Sequence, residues 1–290
     1  MQIQNSFERE DGVLYLVPTP IGNLEDMTFR AIRILKEVDW IAAEDTRNTM
    51  KLCHHFEIDT PMMSTHEHNE MESREQIVKK LLNGENIALV SDAGTPCISD
   101  PGQYVVQAVI EAGLPVVPLP GANAAVTALI ASGLTPQPFL FYGFLSRKKK
   151  EREQQMKDVL NRSESVILYE SPHHLKQTLA DLKKWMHEGR RVVLARELTK
   201  RYEQWIRGTI EEVVQWAEEG EVRGEFCLVI EGINEEEEAV LQAEWWESLS
   251  IVEHVDEMIQ RENLKPKDAI RQVAIMRNVS RREVYNAYHQ

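Results

Sequence analysis

The sequence predicts an α/β protein, with two α/β units in succession and an all-helical segment after them. Three observations carry this reading. Apolar runs of strand length recur, among them Leu14–Val17, Ile87–Val90 and Phe226–Ile230. Most of them lead through loops rich in Gly, Pro, Asp or Glu into stretches with helical spacing, the pattern of α/β units. Past the acidic stretch Asn234-Glu235-Glu236-Glu237-Glu238 the strand pattern stops and helical spacing takes over. The expected units are residues 1–120, 121–233 and 240–290.

Leu14–Val17 reads as the first strand. It enters Pro18-Thr19-Pro20-Ile21-Gly22-Asn23, ahead of a helix from about Thr28 to Glu37 with Asp26 as its N-cap. The loop has no GxGxxG pattern, so a dinucleotide fingerprint is not supported. Trp40–Ala43 is the next strand. The polar run Glu44-Asp45-Thr46-Arg47-Asn48 behind it suits a substrate site and a helix start capped at Thr46 equally well. Met62–Thr65 is a short strand. His66 and His68 follow without a third matching ligand nearby, so no metal site is expected. Glu72–Asn83 is amphipathic, with Ile77, Val78, Leu81 and Leu82 on its apolar face.

The stretch Ser91-Asp92-Ala93-Gly94-Thr95-Pro96-Cys97-Ile98-Ser99-Asp100-Pro101-Gly102 stands at the carboxyl end of the strand Ile87–Val90. In open α/β sheets that edge is where ligands bind. Gly94 and Gly102 can take positive φ, and small residues let a ligand touch the backbone. Asp92 can accept hydrogen bonds from a ligand. A helix from Tyr104 to Ala112 follows. Val116–Leu119 is a strand, and Pro120-Gly121-Ala122-Asn123 turns into a helix of small residues reaching Ser132. That helix start offers a ligand its positive dipole end, and its alanines equally suit close packing on a sheet.

In the second unit Phe139–Phe144, Ser165–Tyr169, Arg191–Ala195, Tyr202–Arg207 and Phe226–Ile230 read as strands. Arg147, Lys148, Lys149 and Lys150 open a helix, where cations oppose the macrodipole, which suits a role in holding phosphates and a merely solvated charged surface equally. Glu170 and the run Arg196–Lys200 lie at strand ends. Thr209 caps a helix reaching Ala217. In the last segment Pro266–Met276 and Arg281–Tyr288 flank a short turn, with Ser280 and Glu283 as a capping box. Two short helices with a tight turn resemble a helix-turn-helix and equally a simple helical hairpin.

Net charge is −14, which speaks against a general nucleic-acid binder. The charge is uneven. Residues 263–290 hold six Lys or Arg and two acids, a net of +4 that leaves −18 on residues 1–262. A local nucleic-acid contact by the tail, through Lys267, Arg281 and Arg282, is compatible with that asymmetry, although charge alone favours a solvated helical surface. The polar N-terminus has no cleavable signal, and the most apolar window, 116–134, is broken by prolines, so neither secretion nor a membrane span is expected. Three widely spaced cysteines point to a reducing, cytoplasmic setting. A P-loop, a GxSxG elbow, HExxH and CxxC are all absent, which leaves loops suited to an organic cofactor.

VPTPIGNLEDMTFRA, IAAEDTRNT, STHEHNE, SDAGTPCISDPG, LPGANAAVTAL, LYESPHHL and GEFCLVIEG follow one another along residues 12–232. As an ordered set they resemble the small-subunit ribosomal RNA cytidine 2′-O-ribose methyltransferases of the tetrapyrrole-methylase superfamily. The basic tail is similar to that family's C-terminal extension. The resemblance implies two α/β domains of the tetrapyrrole-methylase type, with S-adenosylmethionine in the cleft between them. It implies a homodimer and a cytidine in the decoding region of small-subunit RNA as target. Porphyrinogen methylases usually carry a GxGxGD-like first loop. Pro18–Asn23 departs from that, which favours the RNA branch over a tetrapyrrole substrate. The loops that match the superfamily's cofactor loops hold Pro18, Asp92, Gly94, Ile98, Ala122, Asn123 and Tyr169. Glu44, Asp45, Arg47, Glu170, Glu197 and Lys200 stand at strand ends as candidates for activating the acceptor, and none of them is singled out as a base. A porphyrinogen methyltransferase and a non-catalytic RNA-binding protein on the same fold stay open as alternatives.

Overall fold

The computed structural model describes residues 3–6, 12–65, 70–234, 246, 249–262 and 264–289. His66, His68 and most of the acidic stretch after Asn234 lie outside the described residues. The chain divides into two compact units, residues 1–233 and 234–290.

The larger unit contains two five-stranded sheets. The first is built from β1 (Leu14–Leu16), β2 (Trp40–Ala43), β3 (Met62–Ser64), β4 (Ile87–Val90) and β5 (Val116–Pro118). All are parallel, in the order β3-β2-β4-β1-β5. Helices α1 (Phe29–Glu37), α2 (Thr46–His55), α3 (Glu70–Leu82) and α4 (Gln103–Glu111) connect them. Side chains alternate along each strand, so each face of the sheet needs its own cover. Ile41, Ala43, Ala88 and Val90 pack with Ala31, Ile34 and Leu35 of α1 and Cys53 of α2. Ala42, Ile87 and Leu89 pack on the other face, with Ile77 and Leu81 of α3 and Val105 and Val109 of α4. Burial on both faces is why these strands read as unbroken apolar runs.

The second sheet runs β6 (Phe139–Gly143), β7 (Ser165–Glu170), β10 (Phe226–Ile230), β8 (Arg191–Arg196), β9 (Gln204–Thr209). β6 and β7 are parallel and the other pairs antiparallel. Helices α6 (Lys149–Leu160), α7 (Leu175–Trp185) and α8 (Ile210–Glu219) cover one face. The other face holds Ile167, Val193, Ala195, Cys227 and Val229 against Ala125, Ala128 and Leu129 of α5 (Ala124–Ser132). The alanines of α5 therefore serve close helix–sheet packing.

Two local expectations change. Thr28, and not Asp26, caps α1, its hydroxyl accepting from the Ala31 amide at 3.0 Å. Asp26 belongs to a short 3-10 turn, Leu24–Asp26, capped by Asn23. Leu82 is 59% exposed, because Ile77 and Leu81 already define the inward face of α3. Thr209 caps α8 in a reciprocal box with Glu212. Thr209→Ala is expected to cost about 1 kcal/mol, read as a lower melting temperature.

The smaller unit holds α9 (Ile251–Glu262), α10 (Pro266–Met276) and α11 (Arg281–His289). Val255, Met258, Ala269, Ile270, Val273, Ala274 and Val284 form its core. Pro266 starts α10, where its missing N–H costs nothing. Asn278, at φ 53°, turns the chain between α10 and α11. Ser280 accepts from the Glu283 amide at 3.2 Å. Arg277 is used internally, donating to His254 Nδ1 at 3.1 Å and to the Leu249 carbonyl. Among the described residues no helix is long and apolar enough to cross a membrane.

Candidate active site

Three loops at the carboxyl edge of the parallel sheet are locked together. Thr19, after β1, and Gly94, after β4, exchange two backbone hydrogen bonds of 2.9 and 3.0 Å. The Thr95 hydroxyl donates to the carbonyl of Ala122, after β5, at 3.0 Å. Gly121 lies so close to Pro18 that a Cβ there would come within 2.6 Å of the proline ring. Glycine is thus required where two rigid loops touch.

These loops form one wall of a cavity of about 350 Å³. Ile21, Gly94, Ile98, Asp100 and Asn123 line it from the first half of the unit. Tyr169, Glu170, Ser171, Leu198, Lys200 and Glu225 line it from the second. Cys97 and Ser99 on one side, and Glu197 and Thr199 on the other, take positive φ of 51–69°. Non-glycine residues hold such angles only where their surroundings fix them, and strain of this kind gathers at functional sites.

Each polar group has definite partners. The Tyr169 hydroxyl accepts from the Ala125 amide at 3.1 Å, and its ring meets Phe141 and Phe144 edge-on. Burial pushes its phenol up to about 12. Asn123 accepts from the Val126 amide. Two of the first donors of α5 are therefore taken by protein, so this helix start offers a ligand less than its sequence promises. Glu170 accepts from the Ser171 amide at 2.8 Å and from the Thr178 hydroxyl, to which Arg152 also donates. The Lys200 ammonium sits between Glu197 at 3.0 Å and Glu225 at 2.8 Å. Burial works against its charge, but the hydrogen bonds with these carboxylates outweigh that and raise its pKa. Its stem lies across Gly22 of the first loop. Asp100 is pushed up to about 6 by burial and by the nearby charges of Glu44 and Asp92, against the Ser91 hydroxyl, which lowers it.

The model of the Tetrapyrrole (Corrin/Porphyrin) Methylases matches residues 13–214. The chain belongs to that family. Among its relatives, the ribosomal RNA small subunit methyltransferase I of Bacillus subtilis (strain 168) is 57% identical over 96% of this chain and 94% of that protein. The same-named protein of Halalkalibacterium halodurans is 53% identical over all of both chains. A uroporphyrin-III-C-methyltransferase from Thermus thermophilus superimposes with a TM-score of 0.55 at 19% identity, covering 76% of this chain and 94% of that one. A cobalt precorrin-4 methyltransferase gives 0.58 at 15% identity with the same coverage. At such identities the likeness is one of fold.

In this member of the family the residues expected from sequence fall into three places. Gly94, Ile98, Asn123, Tyr169, Glu170 and Lys200 line the cavity. Pro18 and Ala122 brace its loops, and Glu197 holds Lys200 from behind. Asp92 is directed elsewhere. It accepts from the Asp45 amide at 3.2 Å and from the Asn48 side chain at 3.0 Å, and it lines a second cavity of about 280 Å³ with Thr19, Lys51 and His55. Asp45 caps α2, accepting from the Arg47 amide and, as a fork, from the Arg47 guanidinium, which brings its carboxyl down to about 2. The Glu44 carboxyl is raised by burial, against a hydrogen bond from the Asp92 amide. Within the polar run after β2, the helix start is therefore what Asp45 and Arg47 serve.

Of the expected RNA contacts, Arg147, Lys149, Lys150, Lys267, Arg281 and Arg282 are exposed. Lys148 is exposed too, paired with Glu151 at 3.0 Å. Asp100, Ser171 and Thr95 are cavity residues that the sequence reading passed over. Asp100 stood in the quoted SDPG stretch, but nothing local distinguished it from a turn aspartate. Among the described residues the buried Ser171 hydroxyl has no hydrogen-bond partner, a spare donor on the cavity wall. Apolar Ile98 and Leu198, the acidic lining and this hydroxyl fit a ligand with a flat apolar part and a positive centre. Tyr169→Phe would strand the Ala125 amide. A stability loss of about 1–3 kcal/mol is expected, measured by denaturant unfolding.

Proposed function

We propose that this chain is an S-adenosylmethionine-dependent methyltransferase that acts on the ribose 2′-hydroxyl of a cytidine in the decoding region of small-subunit ribosomal RNA. The observation that carries this is the 53–57% identity, along nearly the whole chain, to ribosomal RNA small subunit methyltransferase I proteins. The cavity's chemistry supports the cofactor. Ile98 and Leu198 offer apolar surface to an adenine, and Asp100, Glu170 and Glu225 surround the space with negative charge that suits a sulfonium. When bound, S-adenosylmethionine supplies an electrophilic methyl group. The protein's part is to hold the acceptor oxygen in line and exclude water.

In this reading Gly94, Ile98, Asn123 and Tyr169 contact the cofactor, Pro18 and Ala122 fix the loops, and Asp92 keeps the β4 loop against α2. Glu44, Asp45 and Arg47 shape the approach beside it. Glu170, Glu197 and Lys200 set the opposite wall. The enzyme is cytoplasmic and works as a homodimer, because residues 1–262, at −18, need two sets of Arg147, Lys148, Lys149 and Lys150, and two copies of the basic end 263–290, to build a positive footprint on RNA. The segment 240–290, with Lys267, Arg281 and Arg282, grips RNA phosphates and takes no part in the chemistry.

The test is incubation of the protein and labelled S-adenosylmethionine with purified small subunits, and separately with porphyrinogen. Label recovered in RNA as 2′-O-methylcytidine is the expected result. Label in porphyrinogen alone, or RNA binding without transfer, would overturn the reading.

A further inference from the structure

We infer that Phe144 is the platform on which the base of the target cytidine stacks, holding that nucleotide at the mouth of the cavity while its ribose reaches inside. The inference rests on the functional reading above and deepens it by naming a side chain that receives the acceptor. A ribose enters a cavity only when its nucleotide is splayed out of the RNA, and the base then loses the stacking of its neighbours. A site for such a nucleotide has to offer a π surface in return.

An exposed ring by itself says little. Phe29, Tyr104, Phe139, Trp185, Tyr202 and Tyr285 are exposed too, yet among the described residues Phe144 is the exposed aromatic that lines the cavity. It is 56% exposed, so much of its ring faces whatever arrives from solvent. Tyr169 meets it edge-on, with the ring centroids 5.6 Å apart, and supports it. Ile98 and Leu198 serve the adenine in the reading above, which leaves Phe144 to a second flat ring.

The backbone delivers this side chain and then holds it. The register of β6 on β7 shifts between Phe141 and Gly143. A bulge of this kind re-aims a side chain beside a site. Gly143 takes φ +77°, and a Cβ there would stand 3.1 Å from Ser99 Oγ in the loop after β4. Glycine lets the chain turn past that loop. On the other side of Phe144, Leu145 is buried in the same core as Met156 and Leu179. Ser146 donates its amide to Gln155 at 2.7 Å and its hydroxyl to Glu151 at 2.8 Å. Phe144 is thus fixed between a bulge and an anchored loop, and a ring so held has little freedom to lose on binding.

Charge completes the arrangement. Arg147, Lys149 and Lys150 are exposed three to six residues further on. A π face followed by cations is what a single nucleic-acid strand needs, with the base on the ring and the phosphates on the cations.

The experiment uses the full-length protein, small subunits and labelled S-adenosylmethionine. Initial rates are taken at limiting subunit concentration, with calorimetry of cofactor binding and circular dichroism for each variant. Phe144→Ala should lower kcat/KM for subunits at least about tenfold and leave cofactor affinity within about twofold. Phe144→Trp and Phe144→Tyr keep an aromatic face and should stay within about threefold of wild type. Phe144→Leu, apolar and bulky but without a π face, should fall with alanine. Subunit binding is then measured by filter retention, on normal subunits and on subunits assembled with an abasic ribose at the methylated position. Alanine should weaken binding to the normal subunits. On the abasic ones wild type and Phe144→Ala should bind equally, within about twofold, because no base is left to stack. Full activity of Phe144→Ala on normal subunits overturns the inference. So does a loss of cofactor affinity equal to the loss of rate, a leucine variant as active as tryptophan, or a binding defect that persists on abasic subunits. If Phe144→Ala does not fold, Phe144→Leu takes its place in both measurements. Wild-type protein that labels no RNA overturns the functional reading as well, which separates the two failures.

Discussion

Gly94→Val is expected to lower S-adenosylmethionine affinity at least about 100-fold, or about 2.8 kcal/mol. Gly94 sits at φ +83°, an angle that β-branched residues avoid. It cannot rotate away, because its N–H and C=O both bond to Thr19. A Cβ would stand 3.2 Å from the Ile21 side chain and 3.7 Å from the Ala122 carbonyl, and the added methyl groups would enter the cavity that Gly94 lines. Backbone strain adds about 1–3 kcal/mol of lost stability. Calorimetry gives the affinity and circular dichroism checks the fold. Gly94→Ala, with the same strain and less bulk, should fall between wild type and valine. Unchanged affinity in a folded valine variant would take this loop out of the cofactor site.

The second large effect is expected from removing the tail. A chain ending at Glu237 should bind S-adenosylmethionine within about twofold of the full chain and methylate small subunits at least about tenfold more slowly at limiting subunit concentration, a loss of about 1.4 kcal/mol in apparent binding. The reasons are physical. Residues 234–290 form a compact unit with its own apolar core around Ile270 and Val273, so the body loses no core of its own. The end of the tail, residues 263–290, carries +4, and Lys267, Arg281 and Arg282 in it are exposed. Phosphate contacts of this kind weaken as salt rises, by roughly 0.7–0.9 in the log–log slope for each one. The triple alanine variant of those residues should therefore show a milder defect and a slope flatter by up to about 2–3. A tail that only stabilises the body would, when cut, lower the melting temperature and cofactor affinity together. That outcome, or full activity on subunits, would remove its RNA role.

Much of the fold was legible because its signals are local. Phe226–Ile230 is a run of five apolar residues that both sheet faces bury, and Pro266–Met276 starts on a proline that fits the first turn. Thr209 with Glu212, and Ser280 with Glu283, announce helix starts within four residues. The Gly- and Pro-rich character of the loops after β1, β4 and β5 was plain as well. Chain-local chemistry also misled: Asp26 and Thr28 both look like caps, and only the extra 3-10 turn decides between them.

What each side chain does at the site was decided by partners distant in sequence. Asp92 follows a strand beside glycines and reads as a ligand group, yet it bonds to Asp45, 47 residues away. Tyr169 satisfies an amide 44 residues earlier, and Lys200 is bound by Glu225, 25 residues later. Asp100 looks like a turn residue until the packing of three loops buries it near Glu44 and Asp92. The sequence by itself determined the strands, the helices, the loop chemistry and the ordered motifs that mark the family, because periodicity, capping and glycine placement act over a few residues. Which carboxylates are paired, which are structural and which is left with its charge uncompensated in the cavity was decided only by the tertiary structure, because burial and Coulomb interaction depend on distance in space and not along the chain.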